Sequence, residues 1–438
     1  MLFGKTKEKR LAAALQNGEL DQRYWAIVQR QFRRNRLAVW SLRILYGLLF
    51  IALFADFIAN ERPLYCKIEG QTYFPVLRQY AVSLGLARWE EPFVNVRWHD
   101  LPYEKVIFPP VPYSYNTIDR RNMGYVAPFA EQKIAASWFR HWLGTDRIGR
   151  DVLAGMIAGT RTAMLVGVIA MAIATLIGVF MGAVAGYFGD ERLRVSRLRL
   201  WLNVLALWPA VFYGFVVRRY AMAEGSFIVE LGKNLGIFIG VLLVANLLAM
   251  LLEKVPALGK KVTIPADMLV MRTIEVVDSI PGLLLILSVV AVIKKPSIFY
   301  IMVIIGLISW MGIARFIRAE LLRIRSLSYI EAAQAMGFSH WRIIVRHALP
   351  NALTPVLITV AFGIASAILL EAFLSFLGVG LAADQVTWGS MLSAARARFA
   401  AWWLAIFPGV AIFITVTLFN LIGEGLTDAL DPRRKGTL

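Results

Sequence analysis

One polar stretch, YIEAAQAMGFSHWRIIVRHALPN from Tyr329 to Asn351, lies between runs apolar enough to sit in lipid, and it carries Glu331, Arg342, Arg346 and two of the four histidines. Elsewhere, few side chains are spaced for chemistry. LGTDRIGRD places Asp146, Arg150 and Asp151 beside glycines, as a phosphate loop would. It lacks GK[ST], so it reads as a turn and a helix cap. His99, His141, His340 and His347 have no HExxH-like spacing, and the single cysteine, Cys66, can build neither a disulfide within the chain nor a thiolate cluster. No metal site, cofactor or catalytic residue is therefore expected, and no Ser/His/Asp elbow is present. What remains is acids in apolar runs: Glu371, Asp278 near a helix start and Asp56 near a helix end. Charge in lipid is costly, so these are functional candidates by default. Glu371 and Asp278 could line a solute pathway and meet a cationic group such as an α-ammonium. The alternative is pairing within a helix bundle.

The elements that must position these residues are membrane helices. Of the 438 residues, 58% are hydrophobic and only 17% charged, against about 25% in soluble domains. The net charge of +18 does not indicate nucleic acid, because the arginines sit at the edges of apolar runs, as cytoplasmic loops require, and not on one basic face. The basic segment 1–43 lacks a signal peptide's apolar core. It is expected in the cytoplasm, followed by a first transmembrane helix at 44–59 and an extracytoplasmic insert at 60–151, rich in Pro, Tyr and Trp. A transmembrane domain at 152–430 and a cytoplasmic tail at 431–438 complete the order. Within that domain an amphipathic piece from Asp151 precedes a span at Leu165–Ala185. Apolar runs at Leu200–Val217 and Leu235–Leu252 suggest an extra hairpin, 200–252. Further spans are expected at Val276–Ile293 (broken by Pro281), Ile298–Ala314, Ala352–Leu377 and Trp402–Ile422. The expectation is an all-α polytopic protein with eight spans and both termini inside.

The polar loop 315–350 reads as two short helices. Ser328 and Glu331 have capping-box spacing, Gly337 can end the first helix in a left-handed conformation, and Ser339 can cap a second that stops before Pro350. Ala332, Ala333 and Ala335 leave a low surface for docking into another protein. The plain alternative is a helical connector packed on its own chain.

At this point the motifs become specific. EAAxxxG, here Glu331, Ala332, Ala333 and Gly337, followed by Leu349 and Pro350 in LPN, resembles the coupling loop of permease subunits in bacterial binding-protein-dependent ABC importers. HWLGTDRIGRDVLAGMIAGTRTAMLVG with GYFG, then EAFLSFLGVG, then the stretch from Phe407 to Pro432, are similar to the second (C-type) permease of the oligopeptide/dipeptide branch. These motifs cover roughly 141–189 and 267–434. FIANERPLYCKIEGQTYFPVLRQY resembles permeases associated with microcin C uptake. The long insert and the extra hairpin depart from the family's six-span pattern.

The resemblance implies a type I importer-like helical bundle in the bacterial inner membrane that forms half of a pathway for peptides or similar small solutes. It implies as partners ATP-binding subunits that dock on Glu331–Gly337, a second permease subunit (as a heterodimer) and an extracytoplasmic solute-binding protein. The chain itself would not be an enzyme. A secondary transporter or channel uncoupled from an ATPase is the alternative; it should show inverted repeats with matching broken helices, and no matching pair is visible.

Overall fold

A computed structural model of the chain describes residues 19–90, 93, 96–134, 136–224, 227–253, 260–292, 297–379 and 385–430. The expected tail at 431–438, most of the basic segment's first half, and Pro432 of the C-terminal motif lie outside these residues. Helices α1 (Glu19–Arg34), α2 (Arg36–Leu53) and α3 (Ala55–Ile58) come first. The insert holds β1 (Tyr65–Ile68), β2 (Gln71–Tyr73), α4 (Pro75–Ser83) and β3 (Lys105–Ile107). Then comes α5 (Val152–Ala183), which widens into a π-helical turn at Val184–Phe188. Strands β4 (Arg194–Ser196) and β5 (Lys261–Thr263) bracket α6 (Arg197–Val211), α7 (Arg219–Glu224) and α8 (Phe227–Leu252). After them run α9 (Ala266–Asp278), α10 (Gly282–Val292) and α11 (Ile298–Ile324), then the short α12 (Ser328–Ala335), α13 (His340–Ile343) and α14 (Leu349–Leu353). Last are α15 (Val356–Phe376), α16 (Trp388–Ala395) and α17 (Trp403–Leu430).

Among the described residues, seven helices are long and apolar enough to cross a membrane, and α9 with α10 forms an eighth candidate bent by 77°. The break falls at Pro281, as the sequence suggests, because a proline ring excludes the preceding residue from helix. The first apolar helix is offset from 44–59. It starts at Arg36, where the Asn35 side chain accepts the Ala38 N–H at 3.1 Å. Arginine can begin such a helix because its long stem carries the charge away from apolar surroundings. The amphipathic piece and the span at Leu165–Ala185 are one continuous helix, α5. The expectation of helix throughout gives way in the insert, where β2-β1-β3 form a small antiparallel sheet with Cys66 at its fully buried centre.

Two compact units result. The first comprises Met1–Ile173, Ser297–Ser309 and Thr354–Leu438. Its core joins Leu45, Met164, Ile368, Trp388, Ile412 and Phe419. Ala55, Val111, Tyr113, Ala154 and Ile157 form a second cluster, so the insert packs directly on the start of α5. The second unit comprises Ala174–Pro296 and Trp310–Leu353. Here Gly178, Gly182 and Gly186 of α5 and its π-turn let the backbone of α11 approach. A Cβ at these positions would lie 2.7, 2.6 and 2.7 Å from the carbonyl oxygens of Trp310, Ala314 and Arg318. This is the small-residue packing that membrane helices use in place of the hydrophobic effect. The hairpin at 200–252 is present as α6 and α8. Its polar groups meet one another: Asn246 donates to Asn203 at 2.9 Å, and Arg218 pairs with Glu230. The ladder Arg194–Thr263, Val195–Val262, Ser196–Lys261 closes its base.

Candidate functional site

The polar loop is a helical corner. Leu327, extended at φ −84°, ψ 141°, occupies the cap position of α12, and its carbonyl accepts from Ile330 and Glu331. The capping box expected from Ser328 and Glu331 therefore does not form. Ser328 is already the first helical residue, the Glu331 N–H that its hydroxyl would accept goes to the Leu327 carbonyl at 3.2 Å, and no side chain caps the helix. Glu331 still lies in the first turn, near the positive end of the helix dipole, and is exposed.

Gly337 is left-handed at φ +77°. It ends α12 in a Schellman arrangement, with Gly337 N–H to Gln334 O and Phe338 N–H to Ala333 O. Among the described residues, its chain neighbours aside, no atom lies within 4 Å of a Cβ built there, so it is the conformation that requires glycine. Ser339 caps α13 as expected, accepting from Arg342 N–H at 3.4 Å. The second helix does not stop before Pro350. It widens into a π-turn at Ile344–Ala348 and continues through Leu349 and Pro350 to Leu353. The wider turn accommodates Pro350, whose missing N–H and bulky ring cannot follow a regular α-turn.

The corner has an inward and an outward face. Ile330, Ala333, Ile343, Ile344 and Ala348 are buried. Tyr187 and His340 meet at 3.1 Å, and Asn351 Nδ2 donates to the Tyr329 hydroxyl at 3.3 Å. Outward lie Glu331, Ala332, Ala335, Met336, Trp341 and Arg346. Trp341 is 70% and Met336 65% exposed, an apolar surface left uncovered among the described residues.

The intramembrane acids are engaged. Glu371 of α15 is buried at 2% exposure, and Ser375 donates its hydroxyl to it at 2.5 Å. Asp278, the last residue of α9, pairs with Arg315 of α11. Asp56 accepts from Arg161 at 2.8 Å and from Tyr80 at 2.5 Å. Of the two pathway candidates, Glu371 is buried within its unit and Asp278 is exposed beside Arg315.

LGTDRIGRD is a turn and a cap, as its residue types suggest. Asp146 accepts the N–H groups of Ile148 and Arg150, both at 2.9 Å, and Asp151 accepts that of Ala154 at 2.6 Å. Spacing alone did not reveal a triad centred on His141. Its Nδ1 meets Asp151 at 2.8 Å and its Nε2 meets Asp119 at 3.2 Å, while Tyr113 stacks on the ring. Burial alone would push this imidazole down. The two carboxylates outweigh it and hold His141 above its ordinary range. Asp119 is likewise opposed by burial yet held below its ordinary value by Asn122, the Arg121 N–H and His141. Among the described residues no cluster of three or more His, Cys, Asp or Glu side chains could hold a metal ion.

Residues 235–436 match the family model described as "Binding-protein-dependent transport system inner membrane component", and residues 23–74 match "N-terminal TM domain of oligopeptide transport permease C". The chain is similar to the peptidoglycan transport system permease protein YejE of Agrobacterium fabrum, 28% identical over 92% of this chain and 91% of that one. It is similar to the inner membrane ABC transporter permease protein YejE of Escherichia coli, 28% identical over 95% and 98%. It is also similar to the glutathione transport system permease protein GsiD of Pectobacterium atrosepticum, 30% identical over 67% and 73%.

Proposed function

We infer the role of this chain from one premise: it belongs to the inner membrane components of binding-protein-dependent transport systems, and it is a transmembrane permease subunit of an ABC importer. Its cargo, we propose, is a peptide or peptide-containing solute. The matching N-terminal oligopeptide-permease segment and the relatives' names, peptidoglycan and glutathione transport among them, support that class. The chain would form half of the translocation pathway beside a second, non-identical permease subunit, receive cargo from an extracytoplasmic binding protein, and leave ATP hydrolysis to its partners. Both termini would be cytoplasmic and residues 60–151 extracytoplasmic.

The observation that carries the coupling role is the outward face at 328–348. Glu331, Ala332, Ala335, Met336 and Trp341 crown a corner whose other side buries Ile330, Ala333, Ile343 and Ile344. An apolar patch with one carboxylate suits a groove on an ATPase subunit. Ala333 packs the corner from within, Gly337 ends its first helix, and Leu349 and Pro350 continue the chain at its far end. The test is purification of the complete transporter with Glu331→Lys or Trp341→Ala. Each should lower retention of the ATPase subunits about tenfold. Wild-type retention in both variants would reduce the corner to a connector.

A further inference from the structure

We propose that Arg315 and Arg318 of α11 are the positioning residues that carry the coupling corner's displacement to the broken span α9–α10. This rests on the coupling role proposed for 328–348 and adds the part of the membrane domain that receives the motion.

The two arginines lie one turn apart on α11, so they share a face. Their partners lie at opposite ends of α9. Arg318 forks onto Asp267 in its first turn, with Nη2 to Oδ2 at 2.6 Å, and Arg315 pairs with Asp278, its last residue. A helix of 13 residues is about 20 Å long. One turn of α11 therefore grips both ends of an element much longer than itself. The start of α9 is also held through its backbone: Asp190 accepts the Met268 N–H at 2.9 Å, and the Gly189 carbonyl accepts the Asp267 N–H at 3.4 Å.

Otherwise α9 rests on the π-helical turn Val184–Phe188. Only Ala266 and Ile274 among its residues are buried, and beyond Asp278 the chain turns by 77° into α10. With so few of its side chains buried, the ion pairs add to that turn's hold and tie the helix to α11. On the other side α11 is packed backbone to backbone against Gly178, Gly182 and Gly186, so it moves as a rod. Only residues 325–327 separate it from α12. A displacement of the corner reaches α11 within one turn, and the arginines hand it to both ends of α9. The bend at Pro281 is where α9 can swing while α10 keeps its place.

The test uses the complete transporter in proteoliposomes, with its ATPase subunits and binding protein. Val276→Cys, on an exposed position of α9, is labelled with a water-soluble maleimide, with and without trapping by ATP and vanadate. The native Cys66 is buried and stays silent. With the native arginines, trapping should change the labelling rate about tenfold. Arg315→Gln and Arg318→Gln should each abolish most of that change while ATPase subunits co-purify and basal ATP turnover persists. The exchanges Arg318→Asp with Asp267→Arg, and Arg315→Asp with Asp278→Arg, should restore it. If either glutamine variant fails to reach the membrane, the lysine variants decide. Arg315→Lys keeps a single contact and should respond, whereas Arg318→Lys loses the fork and should respond weakly. An unchanged response in the neutral variants, no response with native arginines, or exchanges that assemble without restoring it would overturn the proposal. Loss of co-purification from the otherwise unaltered transporter would instead overturn the coupling-corner reading.

Discussion

His141 shows how a single side chain can set the pH range of a fold. Its folded-state pKa is raised, so the stability it lends is complete below the ordinary value of 6.5 and is lost as pH climbs through the raised one. Asp119 works in the opposite sense. Its pKa is lowered, so its contribution holds above 3.8 and disappears as pH falls through the depressed value. The insert should therefore be firmest in mild acid between those limits. Tryptophan fluorescence of Trp89 and Trp98 during denaturation across pH should show that maximum, and His141→Gln should flatten its basic limb; an unchanged basic limb would assign the pH response elsewhere. Gly337 is the second residue whose role is separable. Gly337→Val places a β-branched side chain at φ +77°, at a cost of about 1–3 kcal/mol. Since a Cβ there meets nothing among the described residues, its chain neighbours aside, Gly337→Ala should fold nearly as well as Gly337→Asn. The two should differ from wild type in ATPase retention only if a partner approaches closely. Paired measurements of thermal midpoint and co-purification separate strain from contact. Gly337 and Ser339 were legible in the sequence because turn chemistry is local. The cap was misread because Leu327 takes a position that residue type alone would give to Ser328. The triad was hidden because His141 lies 22 residues from Asp119.

Among the elements, α5 and α11 owe their contact to glycine. Gly182→Leu would place a side chain 2.6 Å from the Ala314 carbonyl and 2.8 Å from the Ile317 Cβ, forcing the helices apart at a cost of about 1–3 kcal/mol. Gly232, Gly236 and Gly240 of α8 make an instructive control, since nothing lies within 4 Å of a Cβ at any of them. Gly240→Ala should leave the thermal midpoint of the detergent-solubilised protein unchanged while Gly182→Leu lowers it; equal effects would contradict the packing described. The apolar runs were readable because a bilayer demands uninterrupted hydrophobic length. Ends and breaks were less so. The offset of α2 and the passage of α14 through Pro350 depend on arginine stems and a widened turn, neither of which has a composition of its own.

For the whole molecule, orientation follows from charge at the loop edges. A tag placed in the exposed turn after Leu84 should be reachable from outside intact spheroplasts, and access only after lysis would invert the proposed topology. The long-range ion pairs that fix α9, 37 and 51 residues apart in sequence, are what no pattern along the chain could disclose. Opposite charges are too common for any one pairing to stand out until the fold has brought them together. The short ladder of β4 and β5 bears on modularity. A stretch whose two ends already touch can be removed without asking its neighbours to readjust, so α6 to α8 have the character of a separable module. Excising 197–260 and joining Ser196 to Lys261 through Asn-Gly, the pair suited to a two-residue hairpin, should give a shorter protein that still reaches the membrane at wild-type levels. A collapse in that level would mean that the module is not separable.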